Sequence, residues 1–426
     1  MTMRKCSDNG NARSEDRRTT RSRRARRRPD DARSCDLAIN ERLRCEAYGG
    51  KMKRIACLVA VAALCASVFV NAQQKNSTEA VVHAANDFLA TLTAEQKKKV
   101  MYAFDDSTQR ARWSNFPTGV IARGGINLKS MSAAQQQAVM TLLGTVLSPM
   151  GVEKVEEIRQ ADDDFKANGS KRGPGGGGPR PQGPPPGGQG GPPPQFGGRG
   201  PGPGGRPPGG DLFGSDLYYI SFLGAPSATQ PWMLQFGGHH LALNITVAGS
   251  QGVLTPTLTG AQPALFKLNG KTIRPVGRES DKALALFKAL DESQRKQAVL
   301  TYQVADLVLG PGQDGKKIQP EGLKALSMNA KQQAMLLDVI GEWTGILTEP
   351  YAATRMNQMK ADLKDTYFAW SGPTDAEVGT NITAYYRIQG PHLVIEYAPQ
   401  SDEPGNHVHT MYRDPTNDYG SALVRP

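Results

Sequence analysis

The sequence predicts an α+β fold in which two related halves, each of about three helices followed by a short antiparallel β-meander, pack about a pseudo-twofold axis. Helical spacing and strand alternation come in separate blocks, helices then strands, and the order occurs twice instead of alternating unit by unit. Both strand blocks carry the same short phrase, so that Gly238, His240 and Leu241 match Gly390, His392 and Leu393, with an alternating apolar run after each histidine. Both helical blocks contain the same start signal. Thr93-Ala94-Glu95-Gln96 and Asp291-Glu292-Ser293-Gln294 each place a cap residue three positions before Gln.

Taken in order, residues 80–104 carry apolar side chains at helical spacing, from Val81 and Val82 through Phe88 and Leu92 to Val100, Met101 and Phe104. The run Leu128 to Ser132 then leads into a helix through Leu147, and its echo Leu323 to Ser327 precedes a helix over 331–347. Ser132 and Ser327 read as the two N-caps. Third helices are expected over 152–165 and 351–364, followed by first strands at 216–219 and 365–368. The meanders are expected at 232–236, 241–248 and 253–259 in one half, and at 382–388, 393–398 and 407–413 in the other. Half one covers about 80–265 and half two about 280–420.

Between the third helix and first strand of half one, residues 173–210 hold 18 Gly and 13 Pro. Such a stretch cannot bury enough apolar surface to offset its ordering entropy, so it is expected to be a disordered insertion. Half two joins the same elements directly.

The chain has 426 residues and a net charge of +11, which taken whole would point to nucleic acid or a membrane surface. The basic excess belongs to the leader. Met52-Lys53-Arg54, the apolar run 55–70 and the small-residue site before Gln73 form a secretory signal peptide cleaved after Ala72. Residues 1–51 are therefore expected to be a non-native extension, with the true start at Met52. The remaining 73–426, read as a single duplicated domain, has 34 basic and 32 acidic residues, so no nucleic-acid partner is expected. All five cysteines precede Ala72. An exported chain without cysteine has no disulfides, thiolate metal sites or Cys nucleophile, and its stability rests on a buried core. It also contains no transmembrane segment. Periplasmic or extracellular residence follows.

Five of the six histidines lie in or near the repeated phrases. His407-Val408-His409 puts two imidazoles on one face of a strand, where both can meet one ion. His392 heads the preceding strand, and a pseudo-twofold would bring His239 and His240 close. Three or four neutral imidazoles with an open position suit zinc or copper. Glu396 is the candidate base, and Asp402, Glu403 and Asp414 are carboxylates able to orient ligands. Gly310-Pro311-Gly312-Gln313-Asp314-Gly315 lacks the Lys-Ser/Thr of a P-loop and reads as a structural turn. Neither G-x-S-x-G nor H-E-x-x-H occurs.

These motifs together, with Glu349-Pro350-Tyr351-Ala352 and the closing His407 to Gly420 run, resemble the mostly exported family called domain of unknown function thirty-five hundred, over about 80–420. The resemblance implies one long domain and supplies no catalytic residues. Two readings follow: an exported protein with a histidine-lined divalent-metal site, as in a metal-dependent hydrolase, or a non-catalytic extracytoplasmic binding or surface-interaction protein with structural histidines. The partner is a small molecule or a component of the cell envelope.

Overall fold

A computed structural model describes residues 77–168, 212–377 and 379–424. The expected leader and signal peptide, and the Gly/Pro-rich stretch 173–210, lie outside the described residues.

The fold is a mixed α+β arrangement around one large sheet. Helix α1 covers 77–90 and buries Val81, Ala85 and Phe88 at helical spacing. Helix α2 (Ala94–Val100) starts at the Thr93 capping box, with Gln96 returning the bond. The helical pattern was expected to run on to Phe104, but the chain turns extended at Met101. Met101–Tyr102 becomes β1 and pairs in parallel with a later strand, so tertiary pairing overrides the local period. A short helix α3 (Ser107–Arg110), strand β2 (Ile126–Asn127), and helices α4 (Ala133–Val146) and α5 (Pro149–Asn168) follow. Ser132 caps α4 as the sequence indicated.

The first strand block comprises β3 (Tyr219–Leu223), β4 (Trp232–Gly238), β5 (Leu241–Ala248) and β6 (Gln251–Ala261). A small separate hairpin, β7 (Phe266–Leu268) and β8 (Lys271–Ile273), leads to α6 (Gly277–Ala289) and α7 (Glu292–Ala298). After strand β9 (Leu323–Lys324) come α8 (Ala330–Thr344) and α9 (Glu349–Asp362). The second block is β10 (Tyr367–Ser371), β11 (Tyr385–Gly390), β12 (Leu393–Pro399) and β13 (Val408–Arg413). The N-cap of α8 is Asn329, which forms a capping box with Gln332, whereas Ser327 ends a 3-10 turn two residues earlier. The reading of Ser327 as the cap is thereby corrected: Ser327 has no Glu or Gln three residues on, whereas Asn329 has Gln332.

The strands form one sheet in the order β1-β3-β4-β5-β6-β13-β12-β11-β10-β9, with β2 also paired to β3. The two meanders are thus one surface, joined where β6 runs antiparallel to β13. One face carries Trp232, Leu234, Phe236, Leu243, Ile395 and Tyr412, which pack with the buried stripes of the helices in a single core. The opposite face differs in chemistry. Apart from a small cluster of Trp113, Ala242, Leu258 and Met411, it carries buried polar groups such as Gln235, Asn244, Arg387, Glu396, His409 and Arg413.

Two long loops, 103–125 and 299–322, supply the partners that make this burial tolerable. Gln109 donates to Ser221 and Gln235, Arg387 reaches Glu321, Gln389 donates to the Ile318 carbonyl, and Arg413 donates to the carbonyls of Leu309 and Gly310. Among the described residues, no helix is long and apolar enough to cross a membrane.

Candidate metal centre

The sheet register decides which histidines meet. His409 of β13 lies opposite Gly260 of β6, and Thr259 of β6 lies opposite Leu241 at the start of β5. His240, in the turn just before Leu241, is therefore carried to the end of the sheet where β13 begins. His407 immediately precedes β13. Ligand atoms of His240, His407 and His409 all lie within 4.8 Å of one another. The Nε2 of His407 is 3.1 Å from that of His240 and 3.1 Å from that of His409.

Each member of the trio is held in its own way. His407 Nδ1 lies 2.9 Å from Asp402, and His409 Nδ1 lies 3.3 Å from Asp306. A carboxylate on Nδ1 assigns the proton to that nitrogen and leaves Nε2 with a lone pair. His240 has a left-handed backbone (φ 58), which costs a residue with a Cβ roughly 1–2 kcal/mol. Its N–H donates to the Asn115 carbonyl at 3.2 Å, and the Asn115 amide rests against the His409 ring. Arg123, donating to the carbonyls of Ser114, Phe116 and Gly238, fastens this loop to the turn that carries His240. Burial lowers its guanidinium to about 10.

Burial also keeps two of the imidazoles, those of His240 and His407, neutral. His240 is held well below the usual histidine value by desolvation and then by His239, His409 and His407. Burial, with His409 beside it, pushes His407 down to about 4. At neutral pH these are unprotonated nitrogen donors of the kind that a metal takes.

The other sequence candidates sit elsewhere. His392 heads β12, but an antiparallel partner runs the other way. Val394 pairs with Arg413, and His409 pairs with Ala398 at the far end of the strand. His392 is therefore directed to α9, with Nδ1 2.7 Å from Asp362. Neighbouring strands bring their first residues together only when they pair in parallel.

His239 lies beside His240 with ring centroids 3.7 Å apart, yet it stays outside the trio because its Nδ1 is bound 2.7 Å from buried Asp162 of α5. Glu396 is fully buried and accepts from the backbone N–H groups of Val308 and Leu309 and from the Tyr385 hydroxyl. Burial raises its pKa despite those donors. It anchors the 299–322 loop and does not face the trio as a free base.

The profile of the family described as protein of unknown function (DUF3500) matches residues 74–421. The chain belongs to the DUF3500 family. No curated protein and no solved structure matches it. Membership fixes the extent of the domain and leaves the chemistry to the geometry. Sequence reasoning named all three histidines of the trio and Asp402. It passed over Asp306, Asn115, Gly260 and Asp162, which lie between about 100 and 300 residues from His409 in the chain and reach the site only through sheet register and loop packing.

Proposed function

We propose that this DUF3500 protein binds a divalent metal, zinc or copper, through His240, His407 and His409, with Asp402 and Asp306 orienting two of the ligands. One observation carries the reading. The Nε2 atoms of His407 and His409 are 3.1 Å apart, and the tautomers that place both Nδ1 protons toward Asp402 and Asp306 turn the two Nε2 lone pairs toward each other. Two nitrogens bound about 2.05 Å from one ion and 3.1 Å apart subtend about 100°, within the range of tetrahedral or square sites. A cation removes the repulsion and satisfies both donors.

Such an ion supplies Lewis acidity and lowers the pKa of a bound water. The protein offers three ligands and places His407, Asp402 and Asp306 toward solvent, the last two with side chains 30% and 54% exposed. A hydrolytic role on an ester, amide or phosphate fits this layout only with a base other than Glu396, whose oxygens are already engaged. The fact that Glu396 serves the loop favours, as second reading, a metal-dependent binding protein whose ligand is a small molecule or a cell-envelope component.

Two further parts of the reading rest on sequence or on pattern. The basic, apolar and small-residue run at 52–72 supports export, with residues 73–426 as the mature chain. Duplication into halves is supported by the order of the strands on either side of the β6–β13 seam. It is supported as well by the capping boxes at Thr93, Ser132, Asp291 and Asn329, and by the reciprocal bonds Ser148 N–H to Ile346 carbonyl and Thr348 N–H to Val146 carbonyl.

Metal analysis of residues 73–426, purified without a histidine tag, tests the reading. One equivalent of zinc or copper is expected, lost in His407→Ala/His409→Ala. No metal after reconstitution with either ion would overturn it.

A further inference from the structure

We propose that His239, which stands outside the ligand trio, is the positioning residue for His240; this rests on the metal reading above. The three ligands are not oriented alike. His407 and His409 each have a carboxylate at Nδ1, whereas among the described residues no carboxylate pairs with His240. Its ring is set by packing. On one side lies the His239 ring, with centroids 3.7 Å apart and planes tilted by 36°. On another lies the bare backbone of Gly260, where an added Cβ would stand 3.4 Å from His240 Cδ2 and 2.6 Å from the Val408 carbonyl oxygen. The His239 ring therefore packs closely on His240, while the Gly260 side would admit a methyl at ordinary contact distance; His240 Nε2 lies 3.1 Å from that of His407.

The platform itself is fixed from several directions. His239 Nδ1 is 2.7 Å from Asp162, and the other oxygen of Asp162 accepts the Gly214 N–H. The His239 carbonyl accepts the Tyr218 hydroxyl at 2.8 Å. Phe213 meets the His239 ring edge-on, with centroids 5.0 Å apart. Tyr218, Asp162 and His239 are all buried. Asp162 of helix α5 thus helps to seat the ring that stands beside His240. Partners that orient a ligating histidine are worth about 10–100-fold in metal affinity. Here the orienting contact is a neighbouring, tilted ring, so shape should matter more than the imidazole nitrogens.

The experiment compares zinc affinity, by chelator competition, in residues 73–426 carrying the natural sequence, His239→Ala or His239→Phe. Circular dichroism confirms that each variant is folded. His239→Ala is expected to weaken zinc by about 10–100-fold, and His239→Phe, which keeps a ring beside His240, to restore most of that loss. Equal affinity in the Ala variant would overturn the proposal. A Phe variant as weak as Ala would also overturn it, because the imidazole nitrogens and not the ring would then be needed. A second readout needs no metal: imidazole NMR relaxation of His240 in the apo protein should show a mobile ring in His239→Ala and an ordered one in His239→Phe. If the natural protein takes up no zinc, the metal reading fails by itself, and the apo relaxation data still decide the role of His239.

Discussion

At the scale of single residues, the site depends on one missing methyl group. Gly260 faces His409 across the β6–β13 ladder, and a Cβ there would collide with the Val408 carbonyl while touching His240 at ordinary contact distance. Backbone cannot swing aside as a side chain can. Gly260→Ala is expected to cost about 1–3 kcal/mol in urea unfolding and to weaken metal binding more than a substitution at Gly249, where an added Cβ meets nothing. Equal zinc affinity for the two variants would remove Gly260 from the site. Asp418 offers a test by pH. Burial raises its carboxyl to about 6, outweighing the Arg413 guanidinium. A carboxyl raised in the folded state contributes stability that is complete below the unfolded value and lost as pH rises through the folded one. The stability of the natural protein relative to Asp418→Asn should therefore fall between pH 4 and pH 7, and a flat difference would show that the group is not raised. Residue types and spacing made His407 and His409 legible, since i and i+2 on a strand share a face. Gly260 gave no signal, because its role exists only once β6 lies against β13.

At the scale of elements, α5 and α6 are tied by a pair that no sequence pattern announces. Lys154 of α5 and Glu279 of α6 are both buried and bonded to each other, and Lys154 also reaches the Pro275 carbonyl. Removing one partner strands a charge in the core. Lys154→Met is expected to lose about 3–5 kcal/mol, and Lys154→Met/Glu279→Met to recover most of it, because a buried pair replaced by apolar groups is often neutral. Urea unfolding of the two variants gives the answer, and a double variant as unstable as the single would show that packing, not charge, sets the cost. The meander strands were readable, with limits within a few residues of the expected ones, because alternation and turn residues are local, whereas α6 and the β7–β8 hairpin were not among the expected elements. The N-cap of α8 was placed two residues early, since Ser327 is as good a cap as Asn329 until the Gln332 bond is counted. The two long loops carried no regular pattern. Their order comes from buried strand side chains such as Glu396 and Arg413, which bind loop backbone from below.

At the scale of the whole molecule, the histidine trio and the sheet share one seam. His240 precedes the β7–β8 hairpin in sequence, and His407 and His409 follow it, so neither part of the chain holds the trio alone. The hairpin turn at Asn269 and Gly270, both with positive φ, connects the parts outside the large sheet. Cutting there leaves each piece with an exposed edge, β6 in one and β13 in the other, and unpaired edges of this kind seek partners. Fragments 73–269 and 270–426, prepared separately, are expected to bind no stoichiometric zinc and to expose apolar surface. Mixed during refolding, they should pair edge to edge along the β6–β13 register and regain one equivalent. The recovery should vanish when either fragment carries its substitution, His240→Ala in the first or His409→Ala in the second. Full binding by the second fragment alone would take His240 out of the ligand set. Recovery of the fold without recovery of the metal would separate the seam from the site, and would mean that the register which brings the three rings together serves the sheet alone.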